Sequence, residues 1–180
     1  MHAGERVFAD VYPTSTDKNI GMEERLAPAI TQIAVRVVRD NTGAHVQFPT
    51  LITETGISER LLRYQLQFLG VKSLAWQNNL LRSVRLILEY SSVNAGMFLK
   101  PRDLLESFQS AMLLGTIAAD GTDGSGLFWR PHTPSIVRNL IDQLSAFSVW
   151  LTESYGVPEI NPLRSASGHE QTISMLAWAH

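Results

Sequence analysis

The chain contains no cysteine, which excludes disulfides, zinc ribbons and thiol catalysis and makes a reducing cytoplasm the expected compartment. It has no apolar run of about 18 residues, the length a helix needs to cross a bilayer. Its first 19 residues are polar and hold no signal-peptide core, so no membrane partner is expected. An excess of positive charge is missing too: 15 Lys and Arg stand against 17 Asp and Glu, a formal charge of −2. Stand-alone nucleic-acid binders are usually basic, so an anionic partner would have to be held by local clusters. The five histidines are scattered, and neither a metal nor another cofactor is predicted.

What is present is apolar residue in good supply. With 180 residues, 44% hydrophobic and 18% charged, the chain can bury one medium core or two small ones that share an interface. Residues 1–26, including Pro13, Thr14, Ser15, Thr16 and Asp17, show no period and are expected to be a flexible arm. Residues 27–76 read as a small α+β subdomain. In it, the β-branched run Ile30, Ile33, Val35, Val37 and Val38 and a second run over 46–52 flank Asp40-Asn41-Thr42-Gly43, which predicts a β-hairpin. Ile57, Leu61, Leu62, Leu66 and Leu69 then line one side of a helix that Ser58 can cap and Gly70 can stop.

Residues 77–165 read as helical. A helix over 77–93 turns Leu80, Leu81, Val84, Ile87 and Leu88 inward, and Arg82, Arg85 and Glu89 outward. Pro101 suits the first turn of a helix that buries Leu104, Leu105, Phe108, Met112 and Leu113 and runs to about Thr116. Residues 120–126 hold three glycines and two aspartates, too flexible and polar for regular structure, and are predicted to be a surface loop. That loop lacks the terminal Glu of a calcium loop. Thr133 can cap a helix with Pro134 at its first position, and Val137, Leu140, Ile141, Leu144, Phe147, Trp150 and Leu151 keep the helical period up to Gly156. Residues 166–180 are expected to begin a linker helix toward a catalytic domain outside the chain, because Leu176, Ala177 and Trp178 are still apolar where it stops.

The segment His132-Thr133-Pro134-Ser135-Ile136-Val137-Arg138-Asn139-Leu140, continuing through Phe147-Ser148-Val149-Trp150-Leu151 to Asn161-Pro162-Leu163, resembles the core-binding domain of tyrosine-type site-specific recombinases. In that family a small bundle ends in a long helix that begins with Ser or Thr, carries polar residues to DNA, closes with an aromatic-Trp-Leu pattern and is followed by Asn-Pro. The helices over 79–93 and 101–116 fit in order and length, so the resemblance covers about residues 77–165. Gly126-Leu127-Phe128-Trp129-Arg130 is also similar to a stretch in some integrases of phages and mobile islands.

The resemblance implies a mainly α fold: a helical core-binding (SAM-like) bundle with a small N-terminal β-hairpin subdomain. Double-stranded DNA is the implied partner, with other recombinase protomers as further ones, in the cytoplasm and at the nucleoid when bound. Candidate DNA-binding residues are Arg130, His132, Thr133, Ser135, Arg138 and Asn139, gathered at a helix entrance where free N–H groups and the helix dipole favour phosphate. Arg82, Arg85, Lys100 and Arg102 form a second basic group that a bundle can bring beside the first.

The family's catalytic Arg, Lys, His-x-x-Arg and Tyr set is not found, since no histidine here is followed three residues later by arginine. This chain is therefore expected to bind DNA without cutting it, and Tyr12, Tyr64, Tyr90 and Tyr155 read as packing or surface residues, Tyr155 as core. Two other readings compete. A Thr-Gly-Ile-Ser turn within residues 50–64 suggests a helix-turn-helix regulator that uses Arg60 and Arg63, and the apolar Leu176 and Trp178 suggest a protein-interaction module.

Overall fold

A computed structural model describes residues 6–8, 30–38, 45–53, 56–94 and 101–157. The chain is mainly helical with a small antiparallel sheet. The strands are β1 (Arg6–Phe8), β2 (Thr31–Val38), β3 (His45–Thr53) and β4 (Gly56–Ile57), paired in that order. The helices are α1 (Glu59–Gln67), α2 (Leu74–Val93), α3 (Pro101–Leu114) and α4 (Pro134–Tyr155). The hairpin is β2 and β3, in register from Val38 opposite His45 to Thr31 opposite Ile52. Along β2 the alternation is clean, with Ile33, Val35 and Val37 buried and Gln32 and Arg36 exposed, the period of a sheet with one covered face. Within the expected flexible arm, residues 6–8 instead form β1, an edge strand antiparallel to β2 with Arg6 opposite Val38 and Phe8 opposite Arg36, because β2 offers its free backbone groups to a further strand there. The rest of the arm, Lys100 and residues 166–180 with Leu176 and Trp178 lie outside the described residues.

α1 carries two apolar faces rather than the one its sequence suggested. Leu62, Leu66 and Leu69 pack on the sheet cluster of Ile33, Val35, Val37 and Phe48. Leu61 and Tyr64, with Phe68 beside them, instead join the core that α2, α3 and α4 build. Leu61 therefore leaves the stripe to which its spacing assigned it. The two faces follow from the two helical repeats, 61-64-68 and 62-66-69, which lie on different sides of the same cylinder.

Between those faces sits Gln65, fully buried. Its Nε2 donates to the carbonyl of Pro49 at 2.7 Å and to Oε1 of Gln77 at 3.1 Å, while its Oε1 accepts from Thr50 Oγ1 at 2.9 Å. One side chain thus ties β3, α1 and α2 together, and a buried amide so satisfied fixes their relative placement. The apolar core likewise continues across residue 76, from Ile30, Leu51, Leu61 and Tyr64 into Leu80, Leu81 and Val84.

The helix limits follow their caps. Ser58 Oγ accepts from Leu61 N at 3.4 Å, as its sequence position predicts. α2 starts three residues ahead of the expected Gln77 because Ser73 Oγ accepts from Trp76 N at 3.2 Å and makes the cap there. α3 stops at Leu114 rather than about Thr116, where Gly115 turns into the left-handed region at φ +77°. α4 ends on Gly156 at φ +66°. Tyr155, expected in the core, is 37% exposed and lies under the guanidinium of Arg60, 4.7 Å from the ring centroid.

Candidate nucleic-acid interface

The site is built by the connection between α3 and α4. Residues 120–126 have no regular structure and are largely exposed, but they are not slack. Asp123 Oδ1 accepts from the N–H and the hydroxyl of Ser125 at 2.7 and 2.6 Å; its Oδ2 accepts from Phe128 N at 2.6 Å and from the Thr116 hydroxyl. Asp120 repeats the device on Thr122, whose N–H and hydroxyl lie 2.9 and 2.7 Å from Oδ1. Each aspartate has a hydroxyl residue two positions on, the sequence signal of side-chain-to-backbone turns, and this repeat of Asp-x-Thr and Asp-x-Ser was the overlooked mark of an organised loop.

These bonds also set the charge. Partial burial pushes the Asp123 carboxyl upward, but the bonds donated by Ser125, Thr116 and Phe128 outweigh it and hold the group below the usual carboxylate range. Asp120 is held low chiefly by the Thr122 hydroxyl and N–H. Because the folded Asp123 is the stronger acid, its support of the loop is complete above the unfolded value of about 3.9 and is lost as the pH falls through the lower folded value. Loop opening is thus expected only below about pH 4. At neutral pH, Asp123→Asn should speed hydrogen exchange of the Ser125 and Phe128 amides by about tenfold or more, the worth of a charge-assisted bond. Unchanged exchange rates would refute the role given to this carboxylate.

Past the loop the chain is anchored by Trp129, which stacks on Tyr90 of α2 (centroids 5.9 Å apart) and meets Phe108 of α3 edge-on at 6.0 Å. Its carbonyl accepts from Thr116 N at 2.9 Å and its N–H donates to Thr116 Oγ1 at 2.8 Å. His132 N then donates to the carbonyl of Met112 at 2.8 Å. Arg130 stands between these fixed points, exposed.

His132 joins the two predicted basic groups. Arg82 Nη2 lies 2.8 Å from His132 Nε2, and His132 Nδ1 lies 2.9 Å from the carbonyl oxygen of Arg130. A guanidinium can only donate, so Nε2 accepts and Nδ1–H donates to Arg130: one neutral tautomer satisfies both bonds. The α2 arginine is thereby held against the entrance of α4. Arg85, one turn on, is instead engaged by Glu89, with Nε 2.6 Å from Oε1. Arg102 lies in the first turn of α3, and its side chain, like Lys100, is outside the described residues.

At the start of α4, Thr133 occupies the cap position with extended backbone, but its hydroxyl makes no cap bond and lies 3.3 Å from Ser135 Oγ. Among the described residues, the N–H groups of Ser135 and Ile136 thus donate no bond to the cap side chain. Ser135, Arg138 and Asn139 are exposed along the same face, spaced as i, i+3 and i+4. Among the described residues Arg82, Arg130 and Arg138 form no ion pair. The entrance of α4 thus has Arg82 bonded to His132, exposed Arg130 just before it and exposed Arg138 in its second turn, together with a helix N-terminus and several hydroxyl and amide groups, residue types suited to phosphate oxygens.

The helix-turn-helix considered for residues 50–64 is not formed, because Thr50 to Thr53 belong to β3 and Gly56 and Ile57 to β4. Its two arginines are also occupied, Arg63 by Glu59 and by the Tyr155 hydroxyl, both of which raise its already high pKa, and Arg60 by the Tyr155 ring. Among the described residues no group of acids and histidines is placed to hold a metal ion, and no helix is long and apolar enough to cross a membrane. No family model matches the chain, and neither does any curated protein or solved structure.

Proposed function

We propose that this chain is the DNA-gripping N-terminal part of a tyrosine recombinase, with α2, α3 and α4 acting as its core-binding (SAM-like) bundle. It positions double-stranded DNA and leaves cleavage to a catalytic domain outside the chain. The observation that carries this reading is the bond between Arg82 and His132, which unites the basic group of α2 with the entrance of α4. Phosphates would be held by Arg82, Arg130 and Arg138, with Thr133, Ser135 and Asn139 and the first-turn N–H groups of α4 completing the grip. Arg85 is a weaker member because Glu89 competes for it, while Lys100 and Arg102 remain candidates from the sequence. The overall charge of −2 is compatible with this, since Asp120 and Asp123 direct their carboxylates to the loop's own donors. In the cell the protein would act in the cytoplasm, at the nucleoid, beside other recombinase protomers.

Three phosphate contacts give a log–log salt slope of about −2.7, so affinity for duplex DNA should fall about 40-fold between roughly 50 and 200 mM salt. In Arg130→Ala, Arg138→Ala protein the slope should flatten to about −0.9. Fluorescence anisotropy with a labelled generic duplex measures both. If the wild type does not bind at about 50 mM salt, where screening is least, the DNA reading is wrong, and a protein-interaction role takes its place.

A further inference from the structure

Phe128 occupies a backbone position that suits glycine or asparagine better than an aromatic residue. Phe128 is 51% exposed, while its neighbours Leu127 and Trp129 pack on the helical core. Its φ of +53° is the only left-handed value of a non-glycine among the described residues. In that region the Cβ of an L-residue crowds the following carbonyl oxygen, and asparagine or glycine fits at lower cost. Either would also spare the loop an aromatic ring in water.

The strained placement is actively held. Gly126, at φ +71°, makes the turn before it. Asp123 Oδ2 takes its N–H at 2.6 Å, and the next residue is bonded to Thr116 through both its N–H and its carbonyl. Two residues beyond Phe128 is Arg130, whose carbonyl is bonded to the histidine that holds Arg82. A fixed aromatic tip and the cations of the phosphate grip thus lie on one short segment.

The geometry points to Phe128 as a base-contacting residue of the DNA site, its ring wedged against a base step in a groove while Arg82, Arg130 and Arg138 hold the flanking phosphates. This rests on the DNA reading above. Charge selects the occupant: an apolar tip two residues from Arg130, on the segment that His132 ties to Arg82, with neither arginine in an ion pair among the described residues, complements a polyanion with apolar base faces. Phosphate contacts place a protein on DNA without reading it. A wedge at a base step adds discrimination, since flexible pyrimidine–purine steps open at least cost.

The test compares wild type, Phe128→Asn, Phe128→Trp and Arg130→Ala by anisotropy on one labelled duplex across a salt series, with thermal melts of each. Asparagine tolerates the left-handed backbone, so Phe128→Asn should melt no lower than wild type yet bind about tenfold more weakly at every salt concentration. Its salt slope should be unchanged, because an apolar contact releases no counterions, whereas Arg130→Ala should lose about 0.9 of slope. Phe128→Trp should keep wild-type affinity. A 2-aminopurine at the contacted step should brighten with wild type and not with Phe128→Asn. Equal affinity of Phe128→Asn and wild type, or a loss accompanied by a lower melting point and a changed slope, overturns the inference while leaving the DNA reading intact. Absence of wild-type binding overturns both, and Arg130→Ala then has nothing to weaken.

Discussion

Phe147→Ala is expected to destabilise the protein by about 3–5 kcal/mol, the range for truncating a fully enclosed aromatic side chain, and to lower its melting temperature by roughly 10 °C. Phe147 is completely buried. Its ring lies 5.1 Å from that of Tyr64 on α1 and stacks on Trp150 at 6.0 Å. The truncation therefore empties space at the junction of α4 with α1, where partial collapse is opposed by rings on both sides. Tyr64 in turn meets Phe68 and Trp76, at 5.0 and 6.2 Å, so the loss is felt at both ends of the connection between α1 and α2.

The same variant asks whether residues 27–76 fold separately. The core that contains Phe147 also contains Ile30 and Leu51 of the hairpin region, and Gln65 bonds β3 to α2 through Pro49 and Gln77. One cooperative transition is expected, with circular dichroism and tryptophan fluorescence coincident before and after the substitution. Val35→Ala, in the sheet cluster, should lower that same single midpoint. Two resolved transitions, of which Phe147→Ala moved only one, would show instead that the hairpin part stands alone.

Elements with a strong period were legible in the sequence. The alternation of Ile33, Val35 and Val37 gave the hairpin, and the stripe from Val137 to Leu151 gave α4 with its Pro134 start and Gly156 end. What periodicity could not show was that α1 has two partners, since an amphipathic pattern records which residues are apolar and not what each will touch. Nor could it distinguish a buried glutamine from a solvated one: Gln65 and Gln77 are polar letters inside helical stripes, and only the fold supplies Pro49 and Thr50 to satisfy the former. Of the two basic groups read from the sequence, the structure joins one member of each, Arg82 and His132. The scaffold of the candidate site was not legible, because the glycines and aspartates of residues 120–126 read as flexibility while Asp123 in fact gathers four donors.

That scaffold has a single point of greatest sensitivity. Gly115 ends α3 at φ +77°, and a Cβ there would lie 2.8 Å from the Trp129 carbonyl oxygen and 2.9 Å from Pro131 Cδ. Neither neighbour is a flexible side-chain end. The carbonyl is already bonded to Thr116 N, and Pro131 is confined by its ring between Arg130 and His132. Gly115→Ala therefore combines left-handed strain, about 1–2 kcal/mol, with a clash that must push the Trp129 to Pro131 backbone outward, for a total of roughly 2–4 kcal/mol. Because Arg130 rides on that backbone, DNA affinity should fall at least as far as in Arg130→Ala although no charge is removed. Gly121→Ala is the matched control: its φ is +86°, but nothing lies within 4 Å of the added Cβ, so it should show the strain alone and bind DNA like wild type. Should the two variants melt and bind alike, the loop's docking onto α3 would not be what aims Arg130.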